Sequence, residues 1–428
     1  MSAITSIKAA NIKVMPWIVW ALRLLIGGVF VMSGFVKAID LWGFVYKTSE
    51  YFMVWDMPQP HSLYVMIALS LSMAEFMIGC MLVIGAYRRL TVWALAAMMA
   101  GLLPLTVYIY FKSPVADCGC FGDFWILSNG ATLFKNILLT LGCVYLLFFN
   151  KKVKGLFSFG IQWIPALGCF VYLLAVSLYG YNVQPLIDFR SFPVGSDILV
   201  SESDREPVVF EFVYEKDGKR QSFSEDNLPD STWTFVDRNL VSGSLSDATE
   251  LVIYDYDDDV TSEVIDTVGE QLLIILPDYS EANVSYTYTV NELQEYIEAH
   301  GGSLIEIAAI PDDGQLEEWT DLSMATYPIY RAESTVLKEL ARGVMAAVYI
   351  KEGKIVWKRS LSSIDNEVFE RAGRGEVDLL ESLGYDGGRI LRMMTLMLLG
   401  WLLMAFVIDT VILRLKKRPK SQGLKKNE

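Results

Sequence analysis

Two cysteines, Cys118 and Cys120, stand one residue apart in a short polar stretch between two long apolar segments. A thiolate can attack a disulfide, and a second thiol nearby can complete the exchange. A disulfide closed across one residue forms a small, strained ring, and strained disulfides are easily reduced. Gly119 permits the backbone conformation that such a turn demands. The pair therefore favours disulfide exchange as its chemistry, with Asp117 and Asp123 as flanking, supporting residues.

Three other roles stay open for Cys118 and Cys120. A structural disulfide would close only a tiny loop and would therefore add little stability. A metal site needs more ligands than two thiolates, and only His61 of the two histidines could lie near, so no metal is expected. The thiols could also stay free or cross-link a partner. Three further cysteines lie inside apolar segments, where a lone thiol usually behaves as a small apolar side chain: Cys80, Cys143 and Cys169.

The elements that position these thiols are apolar runs, each long enough to cross a membrane, for which about 20 residues suffice. Six such runs cover residues 16–36, 62–86, 90–111, 131–150, 156–181 and 390–413. The first carries Arg23 and is too long for a cleavable signal peptide, so we expect it to be retained. The pattern predicts a multi-pass protein whose helices contact the lipid bilayer.

Charge divides the chain into a basic membrane part and an acidic part. The formal net charge is −14, yet residues 181–388 hold 42 acidic and 15 basic residues, a net of −27, which leaves +13 for the rest. The acidic part would repel phosphates, so we expect no nucleic-acid partner. Four clusters of Lys and Arg fall on one face if there are six crossings. Both termini are then cytoplasmic, and residues 182–389 lie outside the inner membrane, in the periplasm of a Gram-negative host.

The acidic part is long enough for one domain of ordinary size with a small subdomain in front. A linker and a β-hairpin are predicted within residues 182–247, with strands at 207–213 and 220–223. Later strands are predicted at 251–254, 271–276, 303–310, 345–350 and 354–358, with helices at 290–300 and 334–342. From residue 271 onward the order is strand, helix, strand, helix, strand, strand.

This order resembles the thioredoxin fold over much of residues 248–368, and the closing hairpin is its most recognisable part. Thioredoxins carry Cys-x-x-Cys where the central strand meets its helix, but residues 276–283 contain no cysteine, nor does the rest of the acidic part. Residues 341–344 replace the usual cis-proline loop. The resemblance therefore implies a degenerate thioredoxin-like domain at 248–388 that binds a partner without thiol chemistry. An unrelated α+β domain is the alternative.

Several motifs in the first 150 residues carry a second resemblance. Span one contains Arg23, Gly27-Gly28, Phe30, Ser33-Gly34 and Lys37; span two contains Glu75, Gly79 and Gly85; the Cys-Gly-Cys-Phe-Gly-Asp loop precedes Lys135-Asn136. Over about residues 17–150 the chain resembles the DoxX/MauE-like family of four-helix membrane proteins, and a fused thioredoxin-like domain resembles one branch of it. The resemblance implies a role in maturing disulfide-rich partners, and quinone is the candidate cofactor because other relatives are linked to quinone or sulfur redox chemistry.

Four ionisable side chains fall within the predicted spans or at their ends, where an unpaired charge is costly. Arg23 and Glu75 are expected to form a structural ion pair between spans one and two. Alternatively, Glu75 relays protons to a quinone or lines a polar cavity. Lys37 and Lys135 are expected at the depth of the cysteine loop, where an ammonium group would favour the thiolate. Extension of these lysines to lipid headgroups is the other interpretation.

These features predict an α-helical membrane protein with an α+β exterior domain. We expect a DoxX/MauE-like bundle at 1–155, a fifth helix at 156–181, a linker and hairpin at 182–247, the thioredoxin-like domain at 248–388, and a sixth helix with a basic tail at 389–428. The predicted function is thiol-disulfide exchange or maturation of envelope proteins, linked to quinone. The alternative is a non-catalytic scaffold whose acidic domain docks a partner of an envelope complex.

Overall fold

The computed structural model describes residues 16–115, 118–150, 155–199, 209–216, 219–224, 227–230, 232–242 and 250–417. Six helices in these ranges are long and apolar enough to cross a membrane. They are α1 (Pro16–Ile39), α3 (His61–Ile84), α4 (Arg88–Lys112), α5 (Asn129–Phe149), α6 (Trp163–Asn182) and α13 (Gly387–Lys417). The predicted number of spans is therefore confirmed, as is the multi-pass membrane architecture.

One helix that the sequence did not predict and one shifted helix start differ from the expectation. Helix α2 (Leu41–Val54) occupies the segment between α1 and α3, and Asp40 caps it by accepting a hydrogen bond from the Gly43 N–H at 2.9 Å. The fifth membrane helix begins at Trp163, so the predicted start at residue 156 is wrong. The apolar residues before Trp163 fold back instead, and the Leu156 N–H donates to the Ile84 carbonyl at 2.9 Å.

Helices α1 and α3 touch along their backbones. A methyl group on Gly34 would lie 2.5 Å from the Phe76 nitrogen and 2.6 Å from the Ser72 carbonyl oxygen. One on Gly79 would lie 2.5 Å from the Val31 nitrogen. Small residues permit such close contact between membrane helices. The approach of the two backbones brings polar side chains of α1 and α3 within reach of each other.

Helix α6 packs between the four-helix part and α13. Leu173 and Val176 of α6 are fully buried in an apolar cluster with Phe76 of α3. The indole nitrogen of Trp401 in α13 donates to the Ile164 carbonyl at 2.8 Å. This packing joins the last membrane helix to the bundle, although more than 200 residues of chain separate α13 from α6.

The exterior part begins with a small antiparallel sheet. Its strands β1 (Val209–Lys216), β2 (Lys219–Ser224) and β3 (Thr234–Ser242) run in the order β2-β1-β3. The predicted hairpin is confirmed by the antiparallel pairing of β1 with β2, in which Lys216 lies opposite Lys219. The third strand adds to what the sequence predicted.

A seven-stranded mixed sheet forms the larger unit. Its strands are β4 (Tyr254–Asp255), β5 (Asp258–Asp259), β6 (Glu270–Leu276), β7 (Ser303–Ala308), β8 (Ile329–Arg331), β9 (Ala346–Lys351) and β10 (Lys354–Ser360). They lie in the order β10-β9-β6-β7-β8-β4-β5. Strands β6, β7 and β8 are parallel, and β9 is antiparallel to both of its neighbours.

Six short helices accompany the large sheet. They are α7 (Thr261–Val264), α8 (Thr287–Ala299), α9 (Asp313–Ser323), α10 (Ser334–Leu340), α11 (Asn366–Gly373) and α12 (Leu379–Leu383). Side chains alternate along the central strand β6, so that Leu272 and Ile274 face the core of α8, α9 and α12, while Leu273 and Ile275 face that of α10. Burial on both faces explains why this strand is a continuous apolar run.

The strand predicted at 251–254 is wrong over most of its length, since only Tyr254 lies in a strand. Leu251 and Ile253 are buried as expected. The Ile253 backbone, however, accepts from the Val260 N–H at 2.9 Å and donates to the Thr261 hydroxyl oxygen at 2.7 Å. A local turn therefore uses the hydrogen bonds that a strand would have used.

The linker from α6 covers the free edge of β10. The Gly195 N–H donates to the Ile355 carbonyl at 2.7 Å, and the Ile198 N–H donates to the Gly353 carbonyl at 2.9 Å. Nearby, the Lys358 ammonium lies 2.8 Å from a carboxylate oxygen of Asp188. These contacts attach the large sheet to the linker that follows α6, so the linker holds the exterior domain in a defined position.

We predict that Gly34→Ala destabilises the protein, because the new methyl group would force the backbones of α1 and α3 apart. Overpacking of this kind typically costs about 1–3 kcal/mol. Gly28→Ala on the same helix is the matched control, because a methyl group there meets nothing within 4 Å. Thermal unfolding of both variants in detergent checks this, and equal melting temperatures would contradict it.

Candidate functional site

The two loop cysteines lie side by side as free thiols, with their sulfurs 3.1 Å apart. Cys118 is 9% exposed, and Cys120 is half-buried. Gly119 between them adopts a φ of +65°, in the left-handed region that favours glycine. A methyl group on Gly119 would lie 2.7 Å from the side-chain Cγ of Lys47. Conformation and space thus both require glycine here, as the sequence suggested.

Side chains of α1 and α2 hold the backbone of the loop. The Tyr51 hydroxyl donates to the Cys118 carbonyl at 3.1 Å. The Ser33 hydroxyl lies 2.6 Å from the Cys120 carbonyl oxygen. Each carbonyl is therefore fixed by a side chain from a different helix, which restricts the positions of both sulfurs.

A buried ion pair lies beneath the loop. The Lys37 ammonium is 2.8 Å from both carboxylate oxygens of Glu75, and both side chains are almost fully buried. The Ser33 hydroxyl lies 2.8 Å from Glu75 Oε2 as well as near the Cys120 carbonyl. Since a hydroxyl has one proton, Ser33 donates to one of these acceptors at a time. The ion pair and the Cys120 backbone therefore share one hydrogen-bond donor.

The expected ion pair between Arg23 and Glu75 does not form. Arg23 is fully buried, and its Nε donates to Asn150 Oδ1 at 2.6 Å while its Nη2 donates to the Asn150 carbonyl at 3.0 Å. Arg23 lies 14 residues before Lys37 on α1, which is about 21 Å along the helix axis. The partner of Glu75 is therefore Lys37, and the interpretation of Lys37 as a headgroup-seeking lysine is wrong.

The charges around the loop distinguish the two thiols. The hydrogen bond between the two sulfurs lowers the pKa of Cys120 to about 6; burial opposes this shift, and the ammonium groups of Lys135 and Lys37 reinforce it. The same hydrogen bond, with burial, raises the pKa of Cys118. Lys135 extends over the Phe121 ring, 4.5 Å from its centroid. Cys120 is therefore the more acidic of the two thiols, and the thiolate is the nucleophilic form of a cysteine.

Arg342 of the exterior domain contacts the same loop. Its guanidinium group lies 2.7 Å from Asp40 Oδ2, at the corner between α1 and α2, and 2.6 Å from Asp123 Oδ2, three residues after Cys120. The backbone of Arg342 exchanges two hydrogen bonds with the Gln184 side chain, which follows α6. One residue therefore joins the exterior domain, the cysteine loop and the outer ends of the membrane helices. Asp117 lies outside the described residues.

Arg342 keeps its charge although only 3% of its side chain is exposed. Burial alone would lower the pKa of Arg342, but the carboxylates of Asp40 and Asp123 raise it above the ordinary value. Its guanidinium also lies over the Tyr46 ring of α2, 5.5 Å from the centroid. Removing one member of a buried charge cluster leaves the others without compensation, which is far more costly than breaking an exposed pair.

The cysteines within the membrane helices are not all isolated. The thiols of Cys80 in α3 and Cys169 in α6 interact with each other, which the sequence did not predict. Cys143 lies in a separate apolar cluster that includes Val19 and Leu95, as expected of a small apolar side chain. Cys80 and Cys169 therefore contribute to the contact between α3 and α6.

Sequence reasoning missed four residues of this site: Ser33, Asp40, Tyr51 and Arg342. Ser33 stood in the family-like motif of span one, but no spacing rule shows which carbonyl it contacts. Arg342 stood where thioredoxins carry their cis-proline loop, which was noted only as a departure. The sequence did offer one signal for this contact, an arginine in a strongly acidic domain. When such a guanidinium is buried it requires carboxylates nearby, and here they come from another part of the chain.

Two family models match parts of the chain. The model described as methylamine utilisation protein MauE matches residues 15–149, and the model described as domain of unknown function (DUF8463) matches residues 208–241. No curated protein and no solved structure matches. The first match covers the four-helix part with the cysteine loop and confirms the family resemblance inferred there. It indicates a membrane-associated accessory role.

We predict that alkylation of the reduced protein modifies Cys120 before Cys118. The rate at Cys120 should rise through pH 6 and level off near pH 7, because its pKa is about 6 and the thiolate forms above that value. Lys135→Met should move this midpoint upward, since it removes a cation that favours the thiolate. Lys112→Met, at the exposed end of α4, is the control. Peptide mass spectrometry after timed labelling measures both sites, and faster modification of Cys118 would contradict the assignment.

Proposed function

We propose that this protein exchanges disulfides with envelope proteins through Cys118 and Cys120, on the exterior side of the inner membrane. The observation that carries the proposal is the contact of the two sulfurs at 3.1 Å, beside the buried Lys37 ammonium and with Cys120 favoured as the thiolate. The distribution of cations along the chain supports the exterior placement of the loop and the cytoplasmic placement of both termini.

The exchange takes two steps. The Cys120 thiolate attacks a partner disulfide, forms a bond to one partner sulfur and expels the other as a thiolate. Cys118 then loses its proton and attacks the Cys120 sulfur, which breaks the mixed disulfide and releases the second partner thiolate. The partner gains two electrons, the loop becomes a disulfide, and the protons of both loop thiols go to solvent. The same steps in reverse oxidise a partner dithiol.

When the exchange runs in reverse and a partner dithiol has reduced the loop, quinone is the proposed acceptor of the two electrons of the loop, because a bound quinone would take up two electrons and two protons within the membrane. Its carbonyl oxygens need hydrogen-bond donors. In the part of the chain that the structure describes, the buried amide of Asn129 and the buried hydroxyl of Thr132 have no hydrogen-bond partner. Both lie in the first turn of α5, within two turns of Lys135. These donors fit a quinone carbonyl close to the cysteine loop.

We propose that the exterior domain docks the partner. Elements β6, α8, β7, α10, β9 and β10 occur along the chain in the order typical of thioredoxin, with α9 and β8 inserted between β7 and α10. The sheet order β10-β9-β6-β7, with β9 antiparallel, supports a thioredoxin-like fold for residues 248–388. That part of the chain has no cysteine. The loop before β9 carries Arg342, so the domain is fastened beside the thiols of the membrane part.

The double variant Cys118→Ser, Cys120→Ser tests the exchange. We expect it to change the thiol state of specific envelope proteins, measured by thiol trapping and diagonal electrophoresis, while Cys143→Ser leaves that state unchanged. Cys118→Ser alone should trap mixed disulfides at Cys120, because the resolving thiol is missing. If the double variant leaves every envelope disulfide unchanged and still complements a deletion, the non-catalytic scaffold replaces this proposal.

Substitutions at Arg342 and Asp123 test whether contact with the exterior domain restricts the motion of the cysteine loop. Arg342→Gln should leave Asp40 and Asp123 without their cation and lower stability by about 3–5 kcal/mol. Asp123→Asn removes only the loop contact, so we expect faster amide hydrogen exchange at residues 118–124 with a smaller loss of stability. Arg371→Gln is the control, because Arg371 forms an exposed pair with Glu376. Exchange at the loop that does not change in Asp123→Asn would contradict the coupling.

A further inference from the structure

A cleft of about 850 Å³ opens at the end of the helix bundle opposite the cysteine loop. The corner between α3 and α4 forms one wall, the segment 155–162 forms the floor, and α13 forms the other wall. Arg88 and Arg89 lie at its first wall, and Leu413 belongs to α13. The cleft therefore lies between the four-helix part and the last membrane helix, and neither part forms it alone.

Positive charge is concentrated at this cleft. Besides Arg88 and Arg89, the buried Arg23 lies close enough to Arg88 for the two charges to interact. Helix α4 begins at Arg88 with no side-chain cap, so its first-turn N–H groups add their positive dipole at the same corner. In sequence, Lys151, Lys152 and Lys154 directly precede Gly155, which lines the cleft.

Among the described residues that line the cleft, Asp409 carries the one carboxylate, and this group is hydrogen-bonded by the protein itself. Asp409 of α13 is buried, and its two oxygens accept hydrogen bonds from the backbone N–H of Ser158, at 2.8 Å, and from the Ser158 hydroxyl. Asp409 thus holds the floor segment against α13. The arginines outnumber this acid, so the cleft complements a negatively charged ligand.

The rim of the cleft is strongly apolar. Leu90 is 69% exposed and Phe159 is 83% exposed, and Leu156 and Leu413 are also open at the surface. The two arginines complement a phosphate group, and the apolar side chains beside them complement a hydrocarbon chain. A molecule that carries both groups therefore matches the cleft. Basic pockets between membrane helices bind anionic lipid headgroups for this reason.

We propose that this cleft binds the headgroup of an anionic phospholipid. The phosphate lies against Arg88 and Arg89, and the acyl chains cover Leu90, Phe159 and Leu413. A lipid in this position bridges the α3–α4 corner and α13, so it stabilises the attachment of the last membrane helix. A soluble phosphate would offer the same charge but would leave the apolar rim uncovered, and this difference separates the two sources of the ligand.

The test uses the full-length protein in detergent micelles, with phosphatidylglycerol, phosphatidylcholine or inorganic phosphate added. We expect phosphatidylglycerol to raise the melting temperature and to be retained in native mass spectrometry, whereas phosphatidylcholine and inorganic phosphate have little effect. Arg88→Gln with Arg89→Gln should weaken phosphatidylglycerol binding by about fivefold for each arginine. Lys112→Gln, at the other end of α4, is the matched control and should bind as the original protein does.

Three results would overturn the proposal: equal stabilisation by phosphatidylcholine, full stabilisation by inorganic phosphate alone, or unchanged phosphatidylglycerol binding in the double variant. If the double variant does not fold, Arg89→Gln decides the matter, because Arg89 is exposed and its replacement leaves the buried packing intact. Phe159→Ser adds a second measure, since it removes an apolar rim contact and leaves both arginines in place. It should weaken lipid binding without changing the lipid-free melting temperature.

Discussion

The buried guanidinium of Arg342 links the exterior part of the protein to its membrane part through two ion pairs. It contacts Asp40 at the end of α1 and Asp123 in the cysteine loop, at 2.7 and 2.6 Å. A cation removed from water requires compensation from carboxylates and hydrogen bonds in a fixed geometry. The two carboxylates come from segments 302 and 219 residues away in sequence. The position of the exterior domain therefore follows from an electrostatic requirement, not from apolar contact alone.

The same requirement recurs at two nearby points. Lys37 has Glu75 as its partner beneath the loop, and Lys358 has Asp188 where the linker crosses β10. In each case a cation and a carboxylate from different elements are almost completely shielded from water. Such pairs contribute little net stability compared with apolar replacements, but losing one partner is costly. Each pair therefore opposes arrangements of the loop, linker and sheet that would separate its two charges.

The sequence predicted what depends on local pattern and missed what depends on contacts between distant segments. Six spans, the closing hairpin and the buried strand β6 follow from apolar periodicity. Helix α2 was missed because its apolar residues are too few for a span, and the start of α6 was misplaced because apolar composition continues beyond the helix. The Arg23–Glu75 expectation came from counting charges within spans. The real partners, Asn150 and Lys37, depend on helix register, which no single sequence displays.

At the contact between the two parts, the signs of the interacting residues are the reverse of the net charges of the parts. The acidic part carries a net charge of −27, yet the residue through which it contacts the loop is an arginine, and the contacted residues are aspartates of the membrane part. An acidic residue at position 342 would repel Asp40 and Asp123. Because Asp123 follows Cys120 by three residues, any movement of the loop must break the contact of Asp123 with Arg342 or move the exterior domain with it. The Arg342 side chain therefore couples the position of the cysteine loop to that of the exterior domain, and the rings of Phe124 and Phe189, 5.0 Å apart, add a second contact between the loop and the linker.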